Sequence, residues 1–254
     1  MKQIPNLFTL LNLVFGCMAI VFMLQNGIAV SGDENGSTWI DIPEKVWLAS
    51  LFIGLAALVD FLDGFLARLL KAGSEMGKQL DSLSDIVSFG VAPGMILYQF
   101  LRLSLARESS SLDSSVIWLV PAFLVPCAAA WRLARFNLDN SQSVSFRGMP
   151  VPAVGIFVAS LPLIYWNVNE AWVQNLLLNK WVLYAIIGGL SWLMVSSLPL
   201  MALKFRSFAV KDNLPQYLLI AVAIVAFVLL KWLAIPLTVL AYVILSLLFQ
   251  NKKL

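Results

Sequence analysis

Long apolar stretches separated by short polar segments run from one end of the chain to the other. A helix crosses a bilayer with about 20 mainly apolar residues, each adding about 1.5 Å of length. Windows of this kind number about eight, and they predict spans over residues 8–25, 47–69, 80–101, 116–136, 151–167, 181–203, 215–231 and 233–250. The pattern therefore predicts an all-α integral membrane protein, a polytopic helical bundle with about eight transmembrane helices.

Positive charge is distributed unequally between the polar segments. With the N-terminus in the cytoplasm and eight alternating spans, twelve of the seventeen Lys and Arg residues fall on the cytoplasmic side. Cytoplasmic segments of membrane proteins carry an excess of Lys and Arg. The distribution therefore predicts a protein of the cytoplasmic (inner) membrane, in which the turn between the second and third spans faces the cytoplasm.

Composition agrees with a membrane location and excludes several kinds of chemistry. Only 12% of the residues are charged, about half the fraction that is usual in soluble domains. The net charge of +3 is too small to indicate a nucleic-acid partner. The absence of histidine excludes His-based acid–base chemistry. Cys17 and Cys127 lie in apolar runs and are expected to be small core residues rather than a disulfide or a thiolate metal site.

Four aspartates interrupt the apolar pattern in "DFLDGFLARLLKAGSEMGKQLDSLSD", residues 60–85. Helix residues three and four apart share a face. One stripe, at the end of the second predicted span, consists of Asp60, Asp63, Gly64, Ala67 and Arg68. A second stripe, at the start of the third span, consists of Gly77, Asp81 and Asp85. The short turn "KAGSEM" joins the two helices as an antiparallel pair, so we expect the four carboxylates to converge on one pocket.

Carboxylates grouped at the edge of a bilayer repel one another and resist desolvation. Bound divalent cations would remove both penalties, and oxygen-only ligands suit Mg²⁺, Mn²⁺ or Ca²⁺. We therefore predict two divalent metal ions, Mg²⁺ or Mn²⁺ with Ca²⁺ as an alternative, ligated by Asp60, Asp63, Asp81 and Asp85. Arg68 lies one turn beyond Gly64, where its guanidinium could bind phosphate. This combination favours phosphoryl chemistry on an amphipathic substrate.

The motif reads D-x2-D-G-x2-A-R-x8-G-x3-D-x3-D and resembles the signature of the CDP-alcohol phosphotransferase family at all eight fixed positions. Three further stretches are similar to the phosphatidylserine synthase branch of that family. They are "IPNLFTLLNL", "DSLSDIVSFGVAPG", and "RLARFN" followed by "FRGMPVPA". The resemblance covers roughly residues 3–160.

The resemblance implies transfer of the phosphatidyl group from CDP-diacylglycerol to the hydroxyl of L-serine, with release of CMP. It implies that the four aspartates hold two metals bridging the donor diphosphate and that Asp85 also takes the proton of the attacking hydroxyl. Residues expected by resemblance to line the CDP site are Gly64, Ala67 and Arg68. The resemblance further implies a homodimer, a catalytic transmembrane core over residues 1–167, and C-terminal helices over residues 168–254 that complete the bundle.

Polar residues outside the motif are candidates for the rest of the substrate site. Arg132 and Arg135 share one face of the fourth predicted span, and Asn137 follows them. These residues could bind the serine carboxylate or a donor phosphate, whereas arginines at a cytoplasmic helix end also serve as topology anchors. Asn6 and Thr9 could touch the donor or cap the first helix.

Other functions remain open at this point. Within the family, the acceptor could be glycerol 3-phosphate, inositol phosphate or another alcohol. Outside it, aspartates inside a membrane can mark the ion pathway of a divalent-cation transporter, and a scaffold with a structural metal site is a third alternative. The concentration of acidic residues at the cytoplasmic end favours the enzyme.

Overall fold

The computed structural model describes residues 4–32, 38–70, 72–109, 115–138, 146–201 and 213–249, and it is predominantly helical. The helices of these residues are α1 (Ile4–Gln25), α2 (Trp47–Leu69), α3 (Glu75–Asp85), α4 (Ala92–Ser109), α5 (Leu124–Leu138), α6 (Val151–Asn167), α7 (Ala171–Leu177), α8 (Lys180–Val195), α9 (Leu214–Leu230) and α10 (Ala234–Leu248). Two short antiparallel strand pairs accompany them, β1 (Ala29–Gly32) with β2 (Thr38–Asp41) and β3 (Phe146–Arg147) with β4 (Pro199–Leu200). The all-α class is as predicted.

Four helical stretches of the described residues are long and apolar enough to cross a membrane. They are Pro5–Gln25, Glu44–Leu69, Glu75–Glu108 and Leu214–Leu248. Helices α7 and α8, which meet at an angle of 60°, would add a fifth if together they form one broken span. The architecture is thus of the predicted membrane type, whereas the count of eight spans is not confirmed. The apolar windows at 116–136 and 151–167 contain helices of only 15 and 17 residues, α5 and α6.

The centre of the bundle is a π-helical segment, Ile86–Val91, that links α3 to α4 without a break. This segment contacts α1, α5 and α6. Glycines allow the close approach: a Cβ on Gly16 of α1 would lie 2.3 Å from the Ser88 Oγ, and a Cβ on Gly155 of α6 would lie 2.7 Å from the Phe89 ring. The segment immediately after Asp85 is therefore packed tightly between α1, from the first half of the sequence, and α6, from the second half.

Cys17 and Cys127 correct an expectation, because both are exposed rather than in the core. Cys17 lies in α1 and Cys127 in α5. Lipid tails are as apolar as a protein interior, so an apolar run in a membrane helix does not require its members to face other helices.

A cluster of polar side chains connects β2 to α4 and α6. It lies at the C-terminal end of α4, far from the aspartate motif. Tyr165, which is 5% exposed, donates a hydrogen bond to Asp41 Oδ1 (2.6 Å). Arg107 Nη2 donates to the Tyr165 hydroxyl (2.9 Å) and lies 3.3 Å from Asp41 Oδ2. Arg107 Nε also donates to the carbonyl of Ile40 (3.1 Å). The hairpin of β1 and β2 is thereby attached to the helical bundle.

We expect Tyr165→Phe to destabilise the protein by about 1.5 kcal/mol, because the hydroxyl bonds to two charged groups. A lowered midpoint of thermal unfolding in detergent would measure this. Glu108→Gln is the control, since it removes the partly exposed ion pair with Lys180, and exposed pairs contribute less than about 1 kcal/mol. Equal effects of the two substitutions would contradict the role given to Tyr165.

Candidate active site

The aspartate motif lies where the start of α1 meets the end of α2 and the start of α3. Helix α1 packs against both other helices. Helix α3 begins after Ser74, whose Oγ accepts a hydrogen bond from the Gly77 N–H (3.0 Å) in the usual manner of an N-cap. Helix α3 packs mainly against α1 rather than directly against α2, so the predicted antiparallel pairing of α2 with α3 stays a prediction, although carboxylates from both helices meet beside α1.

The structure brings all four predicted aspartates together. Asp60, Asp63 and Asp81 each present a carboxylate oxygen, and these atoms all lie within 4.8 Å of one another. Asp85 lies beside this group, with its carboxyl group near that of Asp60. Asp63 and Asp85 are the more buried pair, at 5% and 6% exposure. We refer to these four residues as the aspartate cluster.

Side chains from α1 contact two members of the cluster. Thr9 Oγ1 donates a hydrogen bond to Asp63 Oδ2 (2.7 Å). Asn12 Nδ2 donates to Asp85 Oδ1 (3.2 Å). Because residues three apart share a helix face, one face of α1 reaches both α2 and α3.

A cavity of about 230 Å³ adjoins the cluster. Its lining combines the start of α1, the end of α2, the connection to α3 and the first turns of α3. The lining residues are Pro5, Asn6, Thr9, Asp63, Gly64, Ala67, Ala72, Gly73, Ser74, Gly77, Lys78 and Asp81. Two carboxylates of the cluster, those of Asp63 and Asp81, therefore line the cavity, while Asp60 and Asp85 are not among its lining residues.

Most residues predicted for the CDP site lie in or beside this cavity. Asn6, Thr9, Gly64 and Ala67 line it directly. Arg68 does not, but its Nη1 lies 3.6 Å from the point where a Cβ on Gly64 would be. Its guanidinium is thus folded back over the glycine that borders the cavity. These positions agree with a donor-binding role, which stays a prediction.

The residues predicted for the acceptor do not line the cavity. Arg132, which is 8% exposed, donates from Nη2 to the carbonyl of Gly148 (3.5 Å). Arg135 is exposed and donates from Nη1 to the carbonyl of Val195 (3.3 Å). Asn137 donates from Nδ2 to Ser82 Oγ (2.8 Å), within the turn of α3 between Asp81 and Asp85. The arginines thus hold neighbouring backbone, and of these three residues Asn137 is the one with an observed hydrogen bond to the helix of the motif.

Sequence reasoning missed two residues that the structure places at the site. Lys78 lines the cavity and donates from Nζ to the carbonyl of Asn137 (3.2 Å). Asn12 bonds to Asp85 as described above. A signal for Asn12 was present, because Asn6, Thr9 and Asn12 follow one another at intervals of three and form a polar stripe on an otherwise apolar helix.

The donor set of the cluster fits hard divalent cations, which prefer carboxylate oxygens. Among the described residues, the ion pairs are Arg107 with Asp41 and Lys180 with Glu108. Within that part of the chain, no Lys or Arg therefore forms an ion pair with the cluster. Its negative charge is left for bound cations to neutralise.

The fold and the site together define a helical membrane protein with a carboxylate cluster suited to divalent cations. The family model for CDP-alcohol phosphatidyltransferase matches residues 2–197, and the chain belongs to that family.

Curated relatives are similar over most of the chain. A CDP-diacylglycerol–serine O-phosphatidyltransferase of Bacillus subtilis (strain 168) is 31% identical over 204 residues, covering 78% of this chain and 89% of the relative. A protein of the same name from Mycobacterium leprae (strain TN) is 30% identical over 233 residues, covering 89% of this chain but only 65% of the relative. An archaetidylserine synthase of Methanothermobacter thermautotrophicus is 29% identical over 177 residues, covering 67% of this chain and 63% of the relative.

We expect Asp81→Asn to weaken Mn²⁺ binding at least tenfold, because it removes a carboxylate that both faces the cavity and contacts the rest of the cluster. Titration of the free Mn²⁺ signal by electron paramagnetic resonance would measure binding without any substrate. Glu75→Gln is the matched control, since Glu75 is an exposed acid in the first turn of the same helix. Unchanged Mn²⁺ affinity in Asp81→Asn would contradict a metal site at the cluster.

Proposed function

We propose that this protein transfers the phosphatidyl group of CDP-diacylglycerol to the hydroxyl of L-serine and releases CMP. The observation that carries this proposal is the aspartate cluster, with three carboxylates within 4.8 Å beside a cavity at the end of long apolar helices. The names of the curated relatives support serine as the acceptor. The archaetidylserine synthase shares serine in its name and differs in the lipid, so the chains of the donor lipid are left open.

The donor is proposed to bind with its cytidine diphosphate in the cavity. Asn6 and Thr9 contact it from α1, while Gly64 and Ala67 leave room for it on α2. Arg68, folded over Gly64, is within reach of a phosphate there. The aspartate cluster would hold two divalent ions, which would neutralise charge on the diphosphate and on the departing CMP.

Asp85 is proposed to act as the general base. It takes the proton of the serine hydroxyl, and the serine oxygen forms a bond to the phosphorus that carries the lipid. The bond from that phosphorus to the bridging oxygen breaks, and CMP leaves with this oxygen. Because Asp85 is almost completely buried, its orientation is fixed by neighbouring side chains, as an effective base requires.

The acceptor is proposed to bind on the α5 side of the cluster. Arg132 lies close enough to Asp85 to interact with it electrostatically, and Asn137 bonds to the α3 turn between two of the aspartates. Arg132 or Arg135 would take the serine carboxylate by paired hydrogen bonds. Their present contacts are with backbone carbonyls of other segments.

We extend the proposal to the protein in its membrane. The eight spans correspond to α1, α2, the continuous helix from α3 to α4, α5, α6, α8, α9 and α10. Helices α9 and α10 pack against each other and are joined at Lys231, whose φ is 50°, which supports counting them as two spans. The protein lies in the cytoplasmic (inner) membrane, and its active site faces the cytoplasm, which is the orientation that the Lys and Arg distribution predicts. A catalytic core over residues 1–167, C-terminal helices over residues 168–254, and a homodimer complete the proposal.

CMP release from CDP-diacylglycerol by the purified protein tests the proposal. We expect release that depends on both L-serine and Mn²⁺ or Mg²⁺, and little release with glycerol 3-phosphate or inositol phosphate. Release with another alcohol alone would keep the family chemistry and overturn the acceptor. No release with any acceptor, in protein shown to be folded, would overturn the enzyme and favour a divalent-cation transporter.

We expect Asp85→Asn to lower turnover at least a thousandfold, because general-base assistance and metal ligation are lost together. Binding of CDP-diacylglycerol should be weakened but retained, since the cavity-lining residues are unchanged. Equilibrium binding of a labelled donor and CMP release would be measured on the same preparation. Normal turnover by this variant would show that the base lies elsewhere.

A further inference from the structure

We propose that Asn12 is a positioning residue for the reaction, which holds the carboxylate of Asp85 in the orientation that accepts the acceptor's proton. This inference rests on the proposed function, because it concerns the base of that reaction. Asn12 is completely buried, and its Nδ2 donates to Asp85 Oδ1 (3.2 Å). The contact joins α1 to the last residue of α3.

Asn12 is itself held in place by the chain that follows Asp85. Ser88, in the π-helical segment, donates from Oγ to the carbonyl of Asn12 (3.0 Å). Gly16, one turn further along α1, lies so close to Ser88 that a side chain there would collide with it. The backbone of Asn12 is therefore fixed relative to Asp85 by two contacts within one turn of α1.

A donor held in this way restricts rotation of the Asp85 carboxylate about its terminal torsion, which is the rotation that matters for a carboxylate base. The terminal torsion of an aspartate is broad and roughly two-fold, so its two oxygens exchange readily unless one is held. The hydrogen bond from the Asn12 amide to Oδ1 opposes this exchange and keeps the two oxygens of Asp85 distinct. Misplacement of a reacting group by about 1 Å can lower a rate about a hundredfold.

Packing alone does not account for an asparagine at this position. The amide oxygen, Oδ1, is buried and has no hydrogen-bond partner within the described residues. A buried polar atom without a partner lowers stability relative to an apolar side chain of similar size. Leucine has the same branched outline, so an apolar residue could fill the site. The use of asparagine points to the hydrogen bond that it donates to Asp85.

Ser84 provides a matched control for the competing explanation, that Asn12 merely joins two helices. Ser84 is 1% exposed and donates from Oγ to the carbonyl of Thr9 (3.0 Å). It thus links the same pair, α1 and α3, one turn along α1 from the Asn12 contact, and its hydrogen bond to the Thr9 carbonyl does not involve an aspartate. Ser84→Ala removes a helix-joining bond while leaving the bond from Asn12 to Asp85 in place.

The experiment compares Asn12→Leu and Ser84→Ala with the unaltered full-length chain in detergent. We expect Asn12→Leu to lower kcat roughly 10- to 100-fold, with KM for serine and for CDP-diacylglycerol changed less than about twofold. We expect Ser84→Ala to keep kcat within about twofold. The midpoint of thermal unfolding should not fall further in Asn12→Leu than in Ser84→Ala. If Asn12→Leu does not fold, Asn12→Ala, which also removes the donor, replaces it with the same expectations.

Several results would overturn the assignment. Unchanged kcat in Asn12→Leu, or an equal loss in Ser84→Ala, would reduce Asn12 to a packing residue. A raised KM for serine at unchanged kcat would make it a ligand of the acceptor instead. Recovery of kcat at high Mn²⁺ would make metal binding the cause. If the unaltered protein releases no CMP with any alcohol, the proposed function fails and the role fails with it, whereas the other outcomes leave that function intact.

Discussion

The concentration of four carboxylates in one corner of a membrane protein is the constraint on which the rest of the structure depends. Coulomb repulsion and desolvation both oppose such a group. Hydrogen bonds from α1 offset part of this cost, because Thr9 donates to Asp63 and Asn12 donates to Asp85. Among the described residues no Lys or Arg forms an ion pair with the cluster, so under the proposed function bound divalent cations would neutralise the rest. The fold thus supplies geometry and leaves charge compensation to the ligands.

Close packing around the π-helical segment holds the aspartate cluster in a fixed position. A π-turn widens the helix by one residue and is often found at functional positions. Here it starts directly after Asp85 and is contacted by α1, α5 and α6. Glycines at the α1 and α6 contacts bring backbone against backbone, and a packed interior of this kind transmits strain rather than absorbing it. The segment that follows Asp85 is thus packed against α6, which lies far along the sequence.

Local periodicity explains how much of this could be predicted. The two aspartate stripes and the antiparallel turn follow from spacings of three and four residues, which a helix converts directly into faces. The bond from Asn12 to Asp85 joins residues 73 positions apart, and only tertiary packing decides which side chain meets which. The same limit applies to Arg132 and Arg135: the sequence placed them on one face, yet one is buried against Gly148 and the other is exposed. The count of eight spans is not confirmed, because hydropathy does not reveal where a helix begins or ends, as in the 3₁₀ turns before α5.

The size of the cavity bears on how a lipid substrate is held. Its volume of about 230 Å³ is below the roughly 300–1,000 Å³ of pockets that enclose a drug-sized ligand. Under the proposed function, only the polar part of the donor can enter, and the lipid chains have to lie outside. Two of the helices that line the cavity, α1 and α2, also carry exposed apolar side chains, namely Leu7, Leu10, Phe61, Phe65 and Leu69. Because the bilayer itself solvates lipid chains, the protein needs to bind only the headgroup. Discrimination between alcohols then falls to the α5 side of the aspartate cluster, where Arg132 and Asn137 approach the motif.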